Sequence, residues 1–87
     1  MDIAKTIGIK IQIVRKSKGI AQEHLAFSSG LDRSYIGKIE RGEFNITVKK
    51  LYAICKALEC EFTDILPTLG NDKQATLDVV TKGSTGK

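Results

Sequence analysis

AQEHLAFSSGLDRSYIGKIERG, residues Ala21 to Gly42, is the stretch whose reading decides the fold. It divides into two short amphipathic segments on either side of Ser28-Ser29-Gly30-Leu31. Leu25 and Ala26 mark the inner face of the first, Ile36 and Ile39 that of the second, at the spacing of apolar positions along a helix. Gly30 stands where the first helix must stop and the chain turn through a positive φ, which a residue without a Cβ adopts unstrained. Asp32 follows as the cap of the second helix, its carboxylate placed to accept from the backbone N–H of Ser34 or Tyr35. The first helix lacks such a cap. Ala21 offers no side-chain acceptor, and His24 occupies the place where Glu or Gln would complete a capping box, an omission worth on the order of 1 kcal/mol.

Working outward, residues 3–17 carry two periodicities. Ile7, Ile9, Ile11 and Ile13 alternate as in a half-buried strand, whereas Ile3, Ile7, Ile11 and Val14 recur at helical spacing. The basic run Arg15 to Lys18 followed by Gly19 is how a helix ends, and a strand here would have no partner elsewhere. The expectation is a helix with Ile9 and Ile13 partly exposed. Beyond Gly42, Glu43 to Ile46 reads as a connector. Thr47 reads as the cap of a helix from Val48 to about Leu58, with Leu51, Ile54, Cys55 and Leu58 facing inward. Glu61 to Leu66 makes a short last helix stopped by Pro67 and offers Phe62, Ile65 and Leu66. Five helices with short connections predict a compact all-α domain over residues 1–67. Residues 68–87 are polar and glycine-rich, with one apolar patch at Leu77, Val79 and Val80. They read either as a flexible tail or as a segment that adds a strand or helix to a partner.

The totals exclude several classes. At 87 residues the chain has room for one small domain. Its 14 Lys and Arg against 10 Asp and Glu, a net charge of +4, are compatible with a nucleic-acid partner. Three Phe, two Tyr and no Trp are too few for a platform on which single-stranded bases stack. No apolar run approaches the roughly 18 residues of a membrane span, and MDIAKT has no basic region followed by an apolar one. The expected location is the cytoplasm, associated with the nucleoid. Cys55 and Cys60 have no neighbouring histidine and no third cysteine, so they read as small buried residues rather than zinc ligands or a disulfide. With His24 as the sole histidine and no glycine-rich phosphate loop, an enzyme, a metal site or a cofactor site is not expected.

Helix, glycine-containing turn and helix is the layout of a DNA-reading helix-turn-helix. The wider chain, from about Ile7 to Leu66, resembles the Cro/cI-type regulators of the xenobiotic-response-element class, whose domain is of the lambda-repressor-like type. The resemblance is carried by Ile7-Gly8 with Ile11 and Arg15, by Gln22-Glu23 with Leu25-Ala26, by Gly30, Ile36 and Ile39-Glu40-Arg41-Gly42, and by Leu51, Ile54 and Leu58. Within that class, LDRSYIGKIERGEFNIT is most similar to the controller proteins of restriction–modification systems, through Asp32 to Ile36 and Asn45-Ile46-Thr47.

The resemblance implies roles. Gln22 falls where the first helix of the motif touches a phosphate, and Arg33 and Ser34 fall in the first turn of the helix that enters the major groove. Arg33 has the fork that matches guanine O6 and N7. Tyr35 and Lys38 would reach base edges or backbone from the same face, with Gly37 leaving room for close approach. Asn45, Thr47 and Lys49 or Lys50 would meet the remaining phosphates. Arg15 and Glu40 match a buried salt bridge that ties the first helix to the recognition helix. Phe44 departs from the pattern, standing where controllers often carry a basic residue.

The expected function is therefore that of a transcriptional regulator binding a pseudo-palindromic double-stranded operator as a homodimer. Phe62, Ile65 and Leu66 would form the interface, and the two recognition helices would lie about 34 Å apart. The operon would be its own, in a restriction–modification system. The alternative is an antitoxin or adaptor that uses the same fold and grips a protein partner with its tail.

Overall fold

The computed structural model describes residues 1–68, which form α1 (Ile3–Ser17), α2 (Gln22–Ser29), α3 (Arg33–Glu40), α4 (Val48–Leu58) and α5 (Phe62–Ile65). No strand occurs among the described residues, so the helical reading of residues 3–17 is the right one. The apolar patch at Leu77, Val79 and Val80, with all of the tail but Thr68, lies outside the described residues.

Local chemistry sets most of the helix ends. The Asp2 carboxylate accepts from the Lys5 N–H at 3.1 Å and caps α1, a role the sequence reading overlooked. Helix α2 starts without a side-chain cap and ends at Gly30, whose φ of 75° lets the Leu31 N–H reach back to the Ala26 carbonyl. Asp32 caps α3 through the Ser34 N–H at 3.1 Å, and Thr47 caps α4 through the Lys50 N–H at 3.2 Å. Helix α4 ends at Glu59, a non-glycine residue at φ 55°. There the Lys18 ammonium donates to the carbonyls of Leu58 at 2.7 Å and Glu59 at 3.2 Å, satisfying groups that a helix end leaves open. Pro67 holds Leu66 in extended backbone and stops α5.

Every helix contributes to one core. Ile11 of α1, Leu25 of α2, Ile36 and Ile39 of α3, Ile54 and Leu58 of α4 and Ile65 of α5 are all essentially sealed from solvent. Helix α1 packs on α3 and α5, α2 packs on α3 and α4, and α4 packs on α5. Two apolar assignments need correction. Ile3 is 57% exposed, because the core begins at Ile7 and the first turn of α1 runs past it. Ile65 is wholly buried in the core of its own chain, which removes it from any interface and leaves Phe62, packed against the core, and the more exposed Leu66. Ile9 and Ile13 are exposed, as the helical reading of α1 requires.

Helix α1 reaches the end of α3 because residue 8 has no side chain. A Cβ on Gly8 would lie 2.6 Å from the Glu40 carbonyl oxygen and 2.9 Å from its carbon. In an isolated helix Gly→Ala gains about 1 kcal/mol. Here Gly8→Ala is expected to destabilise by about 1–3 kcal/mol, since backbone must shift to admit the methyl group. The check is a thermal melt, in which each kcal/mol lowers Tm by about 4–8 °C. A higher Tm would show that α1 and α3 are not in close contact.

Candidate nucleic-acid interface

The turn at Gly30 sets α3 against α2 with one face inward and one outward. Ile36, Gly37, Ile39 and Glu40 are buried, while Arg33, Ser34, Lys38 and Arg41 are exposed. Asp32, at the head of this helix, has its carboxyl pushed below the usual range. The Ser34 hydroxyl and N–H both donate to the ionised form, the hydroxyl most strongly.

Three residues fix the far end of α3. Arg15 Nε donates to Glu40 Oε2 at 2.6 Å and Arg15 Nη2 to Glu40 Oε1 at 3.0 Å, a two-point pair buried between α1 and α3. The third guanidinium nitrogen, Nη1, donates to the Ile20 carbonyl at 2.7 Å. The hydrogen bonds to Glu40 raise the Arg15 pKa above its ordinary value, against the pull of burial. Gln22 Nε2 donates to Glu40 Oε1 at 2.9 Å and so ties the first residue of α2 to the last of α3. One amide hydrogen of Gln22 is therefore committed inside the protein.

Gly37 shapes the outer face. Its missing Cβ would stand 3.2 Å from Arg41 Nη1 and 3.8 Å from Arg33 Nη1, so both guanidinium groups lie over the same gap. Arg33 Nε is 3.7 Å from Glu23 Oε2, with the two side chains 53% and 73% exposed, a solvated contact that leaves the fork free. The sequence reading singles out Arg33 on this face and assigns no role to Arg41, which the structure places beside it over Gly37. The signal for Arg41 was its position, eight residues beyond Arg33 with glycine midway between them.

The connector and α4 bring further groups to α3. Phe44 stacks on Tyr35, with ring centroids 5.9 Å apart and planes 17° apart. Lys38 Nζ lies 5.7 Å from the Phe44 centroid and Lys50 Nζ 4.4 Å from that of Tyr35. Of the two lysines at the start of α4, Lys50 is the one packed on an α3 side chain, and Lys49 is exposed on the helix surface. Asn45 is exposed in the connector, and the Thr47 hydroxyl oxygen is occupied as the α4 cap.

Elsewhere, Cys55 and Cys60 are free thiols. Burial pushes Cys55 up to about 12 and Cys60 upward as well, so neither is a thiolate at neutral pH. They border an open groove of about 370 Å³ with Tyr52, Lys56, Glu61, Phe62 and Thr63. Among the described residues no three His, Cys, Asp or Glu side chains are grouped to hold a metal ion. None of the described helices is long and apolar enough to cross a membrane.

The helix-turn-helix family profile matches residues 11–65, which run from the middle of α1 through α5. The control protein C.BamHI of Bacillus amyloliquefaciens is 40% identical over 76 residues, covering 84% of this chain and 94% of that protein. The restriction–modification controller protein C.AhdI of Aeromonas hydrophila superposes with a TM-score of 0.70 at 38% identity, over 72% of this chain and 96% of the other. The controller protein C.Esp1396I, as a tetramer in complex with its natural 35 base-pair operator, superposes with a TM-score of 0.66 at 42% identity, over 69% of this chain and 79% of the other.

Proposed function

This chain belongs to the helix-turn-helix family, alongside the restriction–modification control proteins, and from that premise we propose that it regulates transcription by binding a specific double-stranded operator. Helix α3 enters the major groove with Arg33 and Ser34 leading. Lys38, Arg41, Lys50 and the free hydrogen of Gln22 meet phosphates, with Asn45, Thr47 and Lys49 further along the backbone. The observation that carries this reading is the two-sided build of α3. Its outer face is cationic and exposed, and its inner end is fixed to α1 and α2 through Glu40. A base-reading helix needs that rigidity, because discrimination depends on side chains meeting base edges at fixed positions.

One such helix buries too little surface to find an operator at low concentration, so the working species is a symmetric homodimer. Phe62 and Leu66, beside the groove at α4 and α5, supply its apolar contact. The operator is a pseudo-palindrome with half-sites about one DNA turn apart, upstream of the protein's own coding region in a restriction–modification operon. The protein works in the cytoplasm, at the nucleoid. The competing antitoxin or adaptor reading rests on the tail, and no described residue favours it.

The test is fluorescence anisotropy with DNA from immediately upstream of the coding region, against scrambled DNA, across a salt series. The expected preference for upstream DNA is about 10³-fold or more. Log affinity should fall linearly with log salt, at about 0.9 for each phosphate neutralised. Equal, weak binding to both duplexes would remove the autoregulatory reading.

A further inference from the structure

We propose that Phe44, stacked on Tyr35 and flanked by Lys38 and Lys50, reads the C5 methyl group of a pyrimidine in the major groove. The proposal rests on the regulator reading above and goes beyond it, because it assigns base selectivity to a residue outside α3. Phe44 is 44% exposed, yet it is held in place, its ring nearly parallel to that of Tyr35. Phe27, by contrast, is exposed to 86%. The acid next to Phe44 in sequence is also occupied, since Glu43 Oε2 accepts from Arg41 Nε at 2.6 Å.

Two ammonium groups and two aromatic rings therefore converge from α3, the connector and α4, continuous with the base-reading face. Charge complementarity selects the partner class. Lysines beside the rings suit a polyanion, and of the major-groove base edges only a C5 methyl is an apolar group that a phenyl ring would contact. A basic residue at this place would meet a phosphate or a guanine edge, whereas Phe44 meets an apolar group that only a C5-methylated pyrimidine presents. Thymine carries this methyl in ordinary DNA and 5-methylcytosine carries it in modified DNA.

An operator selected from random duplexes by the unaltered protein would be resynthesised with uracil in place of each thymine in turn, and in a second series with each cytosine C5-methylated. Binding would be compared for wild type, Phe44→Ala and Phe44→Leu. The expected result is one position per half-site where removing the methyl weakens wild-type binding about fourfold, the value of one buried methyl-sized group. With both half-sites altered the loss is on the order of tenfold. Phe44→Leu should keep this sensitivity and Phe44→Ala should lose it. If the methyl is that of 5-methylcytosine, the second series shows a gain of similar size with the same dependence on residue 44. Wild type indifferent to every methyl, or Phe44→Ala as sensitive as wild type, overturns the proposal. Failure to enrich any sequence would instead overturn the regulator reading, and this inference with it.

Discussion

Glu40→Ala is expected to cost about 3–5 kcal/mol of folding stability, the usual penalty for leaving a buried charge without its partner. Domains of this kind hold only about 5–15 kcal/mol in all, so the substitution removes a large share of the stability and, at the lower end of that range, leaves a sizeable unfolded fraction. Three hydrogen bonds converge on this one carboxylate, two from Arg15 at 2.6 and 3.0 Å and one from Gln22 at 2.9 Å. Without it the guanidinium keeps only the Ile20 carbonyl, in a site where Arg15 is 7% exposed. An arginine does not escape by releasing its proton, so the cost falls on the fold. The double variant Arg15→Met with Glu40→Leu should recover most of the loss. A buried ion pair is often no better than well-packed apolar residues of similar size, even though breaking it is costly. Urea unfolding of Arg15→Met, Glu40→Leu and their double variant closes the cycle, with Glu40→Ala measured beside them. A single-variant loss below about 1 kcal/mol would mean that the pair behaves as a solvated surface contact.

What the sequence disclosed and what it hid divide along the distance over which each feature is decided. Gly30, Asp32 and Thr47 each act on backbone groups within a few residues, and each could be assigned from its neighbours alone. So could the missing cap at Ala21. Periodicity showed which side of α1 faces inward but not how far the facing helices extend, and Ile3 lies beyond them. It could not tell a residue that faces its own core from one that faces a second copy, which is why Ile65 was misplaced. The ammonium of Lys18 at the end of α4 and the Gln22 amide on Glu40 join residues distant in sequence, and nothing local marks them. The partnership of Arg15 and Glu40 reached the sequence reading only through resemblance to a family. Phe44 looked like a lost contact for want of a charge, and its stacking on Tyr35 is a property of the folded chain alone.

Arg33→Ala should have the opposite profile to Glu40→Ala, folding normally but failing to discriminate between DNA sequences. Arg33 is the first residue of α3, exposed, with its Glu23 contact at 3.7 Å between solvated side chains. Removing such a group changes stability by no more than about 0.5 kcal/mol. A bidentate arginine–guanine contact supplies roughly 1–3 kcal/mol of discrimination, and a symmetric dimer makes it twice. Operator affinity should therefore fall by about 30-fold to 10⁴-fold while binding to scrambled DNA changes little. The salt dependence separates base contact from phosphate contact. Loss of a phosphate-neutralising lysine such as Lys50 should weaken all sequences alike and lower the salt slope by about 2, one phosphate in each half-site. Arg33→Ala should leave the slope nearly unchanged, because a guanine edge releases no condensed counterion when it is bound. If Arg33→Ala instead weakened operator and scrambled DNA equally and lowered the slope, Arg33 would be a phosphate anchor. Base selection would then fall to Ser34, Tyr35 and Phe44.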